Sequence, residues 1–151
     1  MKGIKEFNRK AVEAYPHEFS GLLTILDNEW HVYPVKTLPK DFDGDGFAEG
    51  FSPDQKDWNK KKKDALKRGE IIIGIIHSHP DIEDEDSDEW DKLELLHPSD
   101  IDLKYQRMFK HMVRGIVAVN SKGIMGMRFH DVNDETLEPD TCPLCRRKLQ
   151  V

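Results

Sequence analysis

Apolar residues fall into a few short patterned runs along this chain, and the period of each run predicts the element it forms. Ile4, Phe7, Ala11, Val12 and Tyr15 recur near the helical period, which predicts an amphipathic helix over residues 4–15, ended before Pro16. Phe19–Leu26 and Glu29–Val35 read as two strands joined by a tight turn at Asp27–Asn28. Residues 36–53, rich in Pro, Gly and Asp, read as an irregular insertion, and 54–68 as a solvated helix closed by Gly69. Glu70–Ile76 is almost purely Ile and Gly, the pattern of a strand buried on both faces. A long acidic loop runs to Pro98. The spacing then predicts a helix over 99–112 with Ile101, Tyr105, Met108 and Met112 on its apolar face. Gly115–Val119 and Ile124–Phe129, joined by residues 120–123, predict a hairpin. Helices interleaved with a mixed sheet make an α/β or α+β sandwich.

A chain of 151 residues supports one domain with a real core. We expect that domain over residues 1–130, with a tail over 131–151. No apolar run approaches the length of a membrane span, and Met1–Lys5 lacks the apolar core of a signal peptide, so a soluble cytoplasmic protein is expected. The net charge of −6 disfavours general nucleic-acid binding, which needs an excess of cations on one surface. The lysines of residues 56–68 read as solvated surface, while the acids of 81–91 read either as solvated surface or as a loop that gates a site or docks a basic partner. Asp41–Gly46 begins like a calcium loop, but Ser52 stands where the bidentate Glu is required, leaving a flexible acidic turn.

The candidate chemistry lies at the end of the Ile-rich strand. In extended chain, residues two apart share a face, so His77 and His79 can aim at one ion, and Asp102 can reach it from the next element. Three N/O ligands plus a water describe a catalytic zinc rather than a structural one. Each residue also has an ordinary explanation: Ser99 with Asp102 is close to a capping box, His77 fits a satisfied core position, and Glu18 fits a surface carboxylate. Their joint occurrence, in order and on suitable elements, favours the metal site.

These residues resemble a known family. Glu18–Leu23 (EFSGLL), His77–Pro80 (HSHP) and Ser99–Asp102 (SDID) are similar to the three parts of the JAMM/MPN metalloprotease signature, over about residues 3–130. The resemblance implies an MPN/JAB fold, a mixed sheet flanked by helices and similar in outline to the cytidine deaminases. It implies His77, His79 and Asp102 as zinc ligands, Glu18 as the general base for the zinc-bound water, and Ser99 as hydrogen-bond donor to the oxyanion. One departure is the stretch 81–98, read as an inserted acidic loop. Registering Ser87 and Asp91 as the serine and aspartate nearly restores the usual length, but that pair is one residue too far apart. The implied activity is a zinc-dependent peptidase or isopeptidase acting on a protein or peptide, next to the C-terminus of a ubiquitin-like or sulfur-carrier-like protein. The small single-domain form resembles prokaryotic or viral members. The alternatives are a non-catalytic MPN-type interaction module and a RadC-like DNA-repair-associated protein.

Cys142-Pro143-Leu144-Cys145 is half of a zinc knuckle. A second chain can supply two more thiolates and make a homodimer around a second, structural zinc. His130 can contribute, the pair can be a redox dithiol, or it can be free on a tail. The zinc deaminases use HxE followed by PCxxC, which this chain lacks. His17 and His97 read as loop histidines. Trp90 reads either as a local cluster with Leu93 and Leu96 or as a contact over the cleft.

Overall fold

The computed structural model describes residues 1–40, 50–81, 94–143, 145 and 147–149. Helix α1 (Ile4–Ala14) leads to β1 (Ser20–Leu26) and β2 (Glu29–Val35). The turn between these strands places Asp27 and Asn28 at φ 51° and 61°, which suits a two-residue hairpin. Strands β3 (Thr37–Lys40) and β4 (Gly50–Pro53) pair as a small antiparallel ribbon. Part of the expected irregular insertion is therefore sheet. The calcium-loop-like run 41–46 lies outside the described residues.

Helix α2 (Gln55–Lys67) is capped by the Asp54 side chain and precedes β5 (Ile71–Pro80). Helix α3 (Asp100–Met108) then crosses over to β6 (Val113–Asn120), which forms a hairpin with β7 (Gly123–His130). The main sheet runs β2-β1-β5-β6-β7, with β5 parallel to β6 and every other pair antiparallel. This is the expected mixed sheet between helices. Among the described residues no helix is long and apolar enough to cross a membrane.

Alternation along the strands builds a core on each face. Phe7 and Ala11 of α1 pack with Leu23, Ile73, Ile76, Val113 and Val117 on one side. Ala65 of α2 packs with Leu22 and Val35 on the other, and Leu96 joins Ile116 and Ala118 beyond it. Residues of the expected tail belong to the first core as well. Leu137 is 5% exposed there, and Leu149 packs against it.

Two polar features bear on stability. Glu70 has a fully buried side chain, which accepts hydrogen bonds from Thr24 (2.7 Å), Tyr33 (2.6 Å) and Arg68 (2.6 Å). Burial works against its charge, but these three donors hold its carboxyl below the ordinary range. His111 lies in a row of rings, 6.0 Å from Trp58 and 6.1 Å from Phe109. Burial, helped by Arg114 and Lys62, lowers its pKa from 6.5 to about 4.

Helix α3 departs from expectation. It stops at Met108, and Lys110 turns the chain at φ 55°. Ile101 and Met108, expected inside, are 63% and 56% exposed, whereas Gln106 is fully buried. The reason is that Asp102 and Gln106, one turn apart, must share the inward side if Asp102 is to meet β5.

A Cβ on Gly74 would overlap the carbonyl oxygen of Val113, where β5 and β6 first pair. Gly74→Ala should therefore lower unfolding free energy by about 3 kcal/mol in urea melts. Gly69→Ala, in open space at φ +82°, should cost only about 1 kcal/mol. For His111 the folded pKa is the lower one, so the unfolded state binds more protons between pH 6.5 and about 4. Its stabilising contribution is complete above pH 6.5 and is lost as pH falls through that window. In His111→Leu the melting temperature should fall less than in wild type between those pH values.

Candidate metal centre

The last residues of β5 alternate across the sheet. Ser78 points toward α1 and bonds to Phe19, while His77 and His79 share the face that α3 covers. Asp102 comes down from the first turn of α3 onto the same point. The ligand atoms of His77, His79 and Asp102 lie within 4.8 Å of one another, and this is the one such cluster among the described residues. His77 Nε2 stands 2.6 Å from His79 Nε2, and the Asp102 oxygens stand 3.7 Å and 3.4 Å from those two nitrogens. Ser87 and Asp91, the rival pair, lie outside the described residues, as does Trp90.

The surrounding groups select one consistent proton arrangement. Arg114 Nε–H can only donate, so His77 Nδ1 accepts, at 3.3 Å. His79 Nδ1 donates to the Leu95 carbonyl at 2.7 Å, leaving its Nε2 as an acceptor. The proton of the neutral His77 ring therefore sits at Nε2, between the two rings. Burial, then Arg114 and His79, lowers the His77 pKa from 6.5 to about 3, which keeps the ring in the neutral form that ligates metal.

Asp102 is held from both sides. Its Oδ2 accepts the Ser99 backbone N–H at 3.0 Å, and its own N–H donates to the Ser99 hydroxyl at 3.1 Å, a reciprocal capping box. Arg114 donates to Asp102 Oδ1 at 3.0 Å and to the Asp102 carbonyl at 3.2 Å. Burial alone would raise the Asp102 pKa, but the two neighbouring histidines and the Arg114 charge hold it well below the usual carboxylate range.

Glu18 joins this group through β pairing. Ser20 lies opposite His77, and the pairing continues through Ser78 N–H to the Phe19 carbonyl at 2.8 Å. Phe19 points to the α1 side, 5.5 Å from Phe7, so the neighbouring Glu18 falls beside His79 on the histidine face. Burial raises its carboxyl pKa, while His79 pulls it down, Asp102 pushes it up and Arg114 pulls it down. Each of those charges belongs to the site.

The cysteine pair lies apart from this cluster. Cys142 and Cys145 are not disulfide-bonded, and no third ligand among the described residues, His130 included, completes a metal group with them. His130 is fully buried, with Nδ1 against the Asp131 carbonyl. His17 and His97 are exposed. The sequence reading did not include Arg114. Its signal was a charged residue opening the apolar strand Val113–Val119, although nothing in spacing alone aims it at Asp102.

The donor set suits a divalent ion such as zinc: two neutral imidazoles, one carboxylate, and His79 oriented by a backbone carbonyl. The family described as prokaryotic homologs of the JAB domain matches residues 2–121. No curated protein matches the chain. Among solved structures, a protein from Desulfitobacterium hafniense aligns with TM-score 0.51 at 21% identity, covering 89% of this chain and 85% of that one. A protein from Salinibacter ruber aligns with TM-score 0.50 at 18% identity over 99% of both chains. A JAB1/MPN domain protein from Archaeoglobus fulgidus gives 0.49 and 17%, covering 91% of this chain and 95% of that one. The family match spans most of the chain, which therefore belongs to the prokaryotic homologs of the JAB domain.

Proposed function

We propose that this protein is a zinc-dependent peptidase or isopeptidase that hydrolyses an amide bond next to the C-terminus of a ubiquitin-like or sulfur-carrier-like protein. The observation that carries the reading is the meeting of His77, His79 and Asp102 on one face of β5 with the partly buried Glu18 carboxylate beside them. Bound zinc supplies a Lewis acid and lowers the pKa of water to about 7. The choice of a ubiquitin-like or sulfur-carrier-like substrate rests on the resemblance of the three motifs. Cys142 and Cys145 form no disulfide, which suits a reducing cytoplasm.

The protein's own residues carry the rest of the mechanism. Glu18 accepts the proton of the attacking water and delivers it to the departing amine, and its raised pKa brings it closer to the working pH of such a base. The Ser99 oxygen is occupied as an acceptor in the capping box, but its O–H proton remains to be donated to the developing oxyanion. Arg114 holds Asp102 through its side chain and its backbone carbonyl, which is positioning work of the kind that tunes metal affinity.

Hydrolysis of a ubiquitin-like fusion or isopeptide conjugate should stop with chelator and return with zinc. Glu18→Gln should keep its metal and lose about 100-fold or more in kcat. Loss of metal together with activity in that variant would make Glu18 structural instead. Because Glu18 must be ionised, kcat/KM should fall as pH drops through its pKa, which burial raises from the ordinary glutamate value. Arg114→Met should weaken zinc binding by about 10- to 100-fold in chelator competition. Unchanged affinity would leave Arg114 with a folding role only.

A further inference from the structure

The segment after β7 is not a loose tail. Leu137 and Leu149 pack in the core, Pro143 is buried, and the fully buried Trp30 donates its Nε1–H to the Thr141 carbonyl at 3.2 Å. Between those anchors the chain doubles back. Thr141 bridges to Lys148, Cys142 N–H donates to the Arg147 carbonyl at 2.8 Å, and Leu149 N–H donates to the Asp140 carbonyl at 2.6 Å. The turn this closes carries Cys142 at its base and Cys145, exposed, near its tip.

A C-x-x-C pair on a tight hairpin is the ligand arrangement of half a thiolate zinc site. A dithiol built for exchange sits where a helix N-terminus lowers one thiol's pKa, and among the described residues no helix starts at this pair. A structural zinc needs four ligands, and the described residues bring no third one. We infer that Cys142 and Cys145 form a half-site completed by the same pair from a second copy of this chain, giving a homodimer around one tetrathiolate zinc.

Charge favours that occupant. Four thiolates around zinc leave two net negative charges, and Arg146, Arg147 and Lys148 follow the pair directly in sequence. Beside the turn lies a groove of about 410 Å³ lined by Glu29, Glu138 and Asp140 together with Lys148, which lies 4.0 Å from Asp140. A two-fold axis through the zinc makes the contact isologous. Each thiol gives up its proton on metal binding, so assembly weakens as pH falls.

The site is independent of the catalytic reading, and the test keeps the two apart. Full-length protein with supplied zinc and a non-thiol reductant is weighed by light scattering after gel filtration, with metal measured by mass spectrometry. Wild type should be a dimer that becomes monomeric with chelator. Cys145→Ser and Cys142→Ser should be monomeric, folded by circular dichroism, and poorer by about half a zinc per chain. A His77→Ala, Asp102→Ala double variant should remain dimeric, and its cobalt form should retain intense near-ultraviolet thiolate absorption. Three results would overturn the inference: a zinc-loaded wild type that is monomeric, cysteine variants that keep all their zinc, or a dimer that dissolves with reductant and ignores chelator.

Discussion

The site depends on the pairing at the end of β5. This strand lies at the centre of the sheet, antiparallel to β1 and parallel to β6, and its backbone is fixed on both sides. Strict alternation then sends Ile76 and Ser78 to the α1 side and both histidines to the other. A slip of one residue would exchange these faces and dismantle the metal cluster while leaving the strand paired. The register is secured by close contacts rather than by charge. Gly74 lies against the Val113 carbonyl, and Ser78 clamps Phe19 through both backbone and side chain.

Around that frame, three partly or wholly buried charges support one another. Asp102, Arg114 and Glu18 would each be costly alone away from water. Arg114 bonds directly to Asp102 and lowers the Glu18 carboxyl pKa, while Asp102 raises it. The balance leaves Asp102 firmly ionised and Glu18 shifted upward, so two carboxylates in one pocket are suited to different tasks. The same demand explains the inverted face of α3. Asp102 and a buried Gln106 occupy its inner side, so Ile101 and Met108 face solvent.

Much of this was legible in the sequence because strand periodicity and ligand spacing are local. The bounds of β2 and the turn before it follow directly from the pattern, and His77 and His79 share a face because they are two residues apart on a strand. The meeting of Asp102 with them depends on the length and path of a crossover, which motif order indicated and local spacing alone did not. What escaped was set by tertiary contact. Arg114 resembles any charge near a strand end until α3 brings Asp102 over it, and the outward turn of Ile101 contradicts helical amphipathicity for a functional reason. The short β3–β4 ribbon was hidden by its Pro, Gly and Asp content, and the apparent tail by how few apolar residues hold it. Leu137 and Leu149 are isolated in sequence yet join the main core.

The most direct test of the account is zinc content in a Cys142→Ser, Cys145→Ser background, with and without Asp102→Ala. One zinc per chain, lost when Asp102 is replaced, is the predicted result. No zinc in the background protein, or zinc that remains without Asp102, would contradict the assignment of His77, His79 and Asp102 as the metal centre.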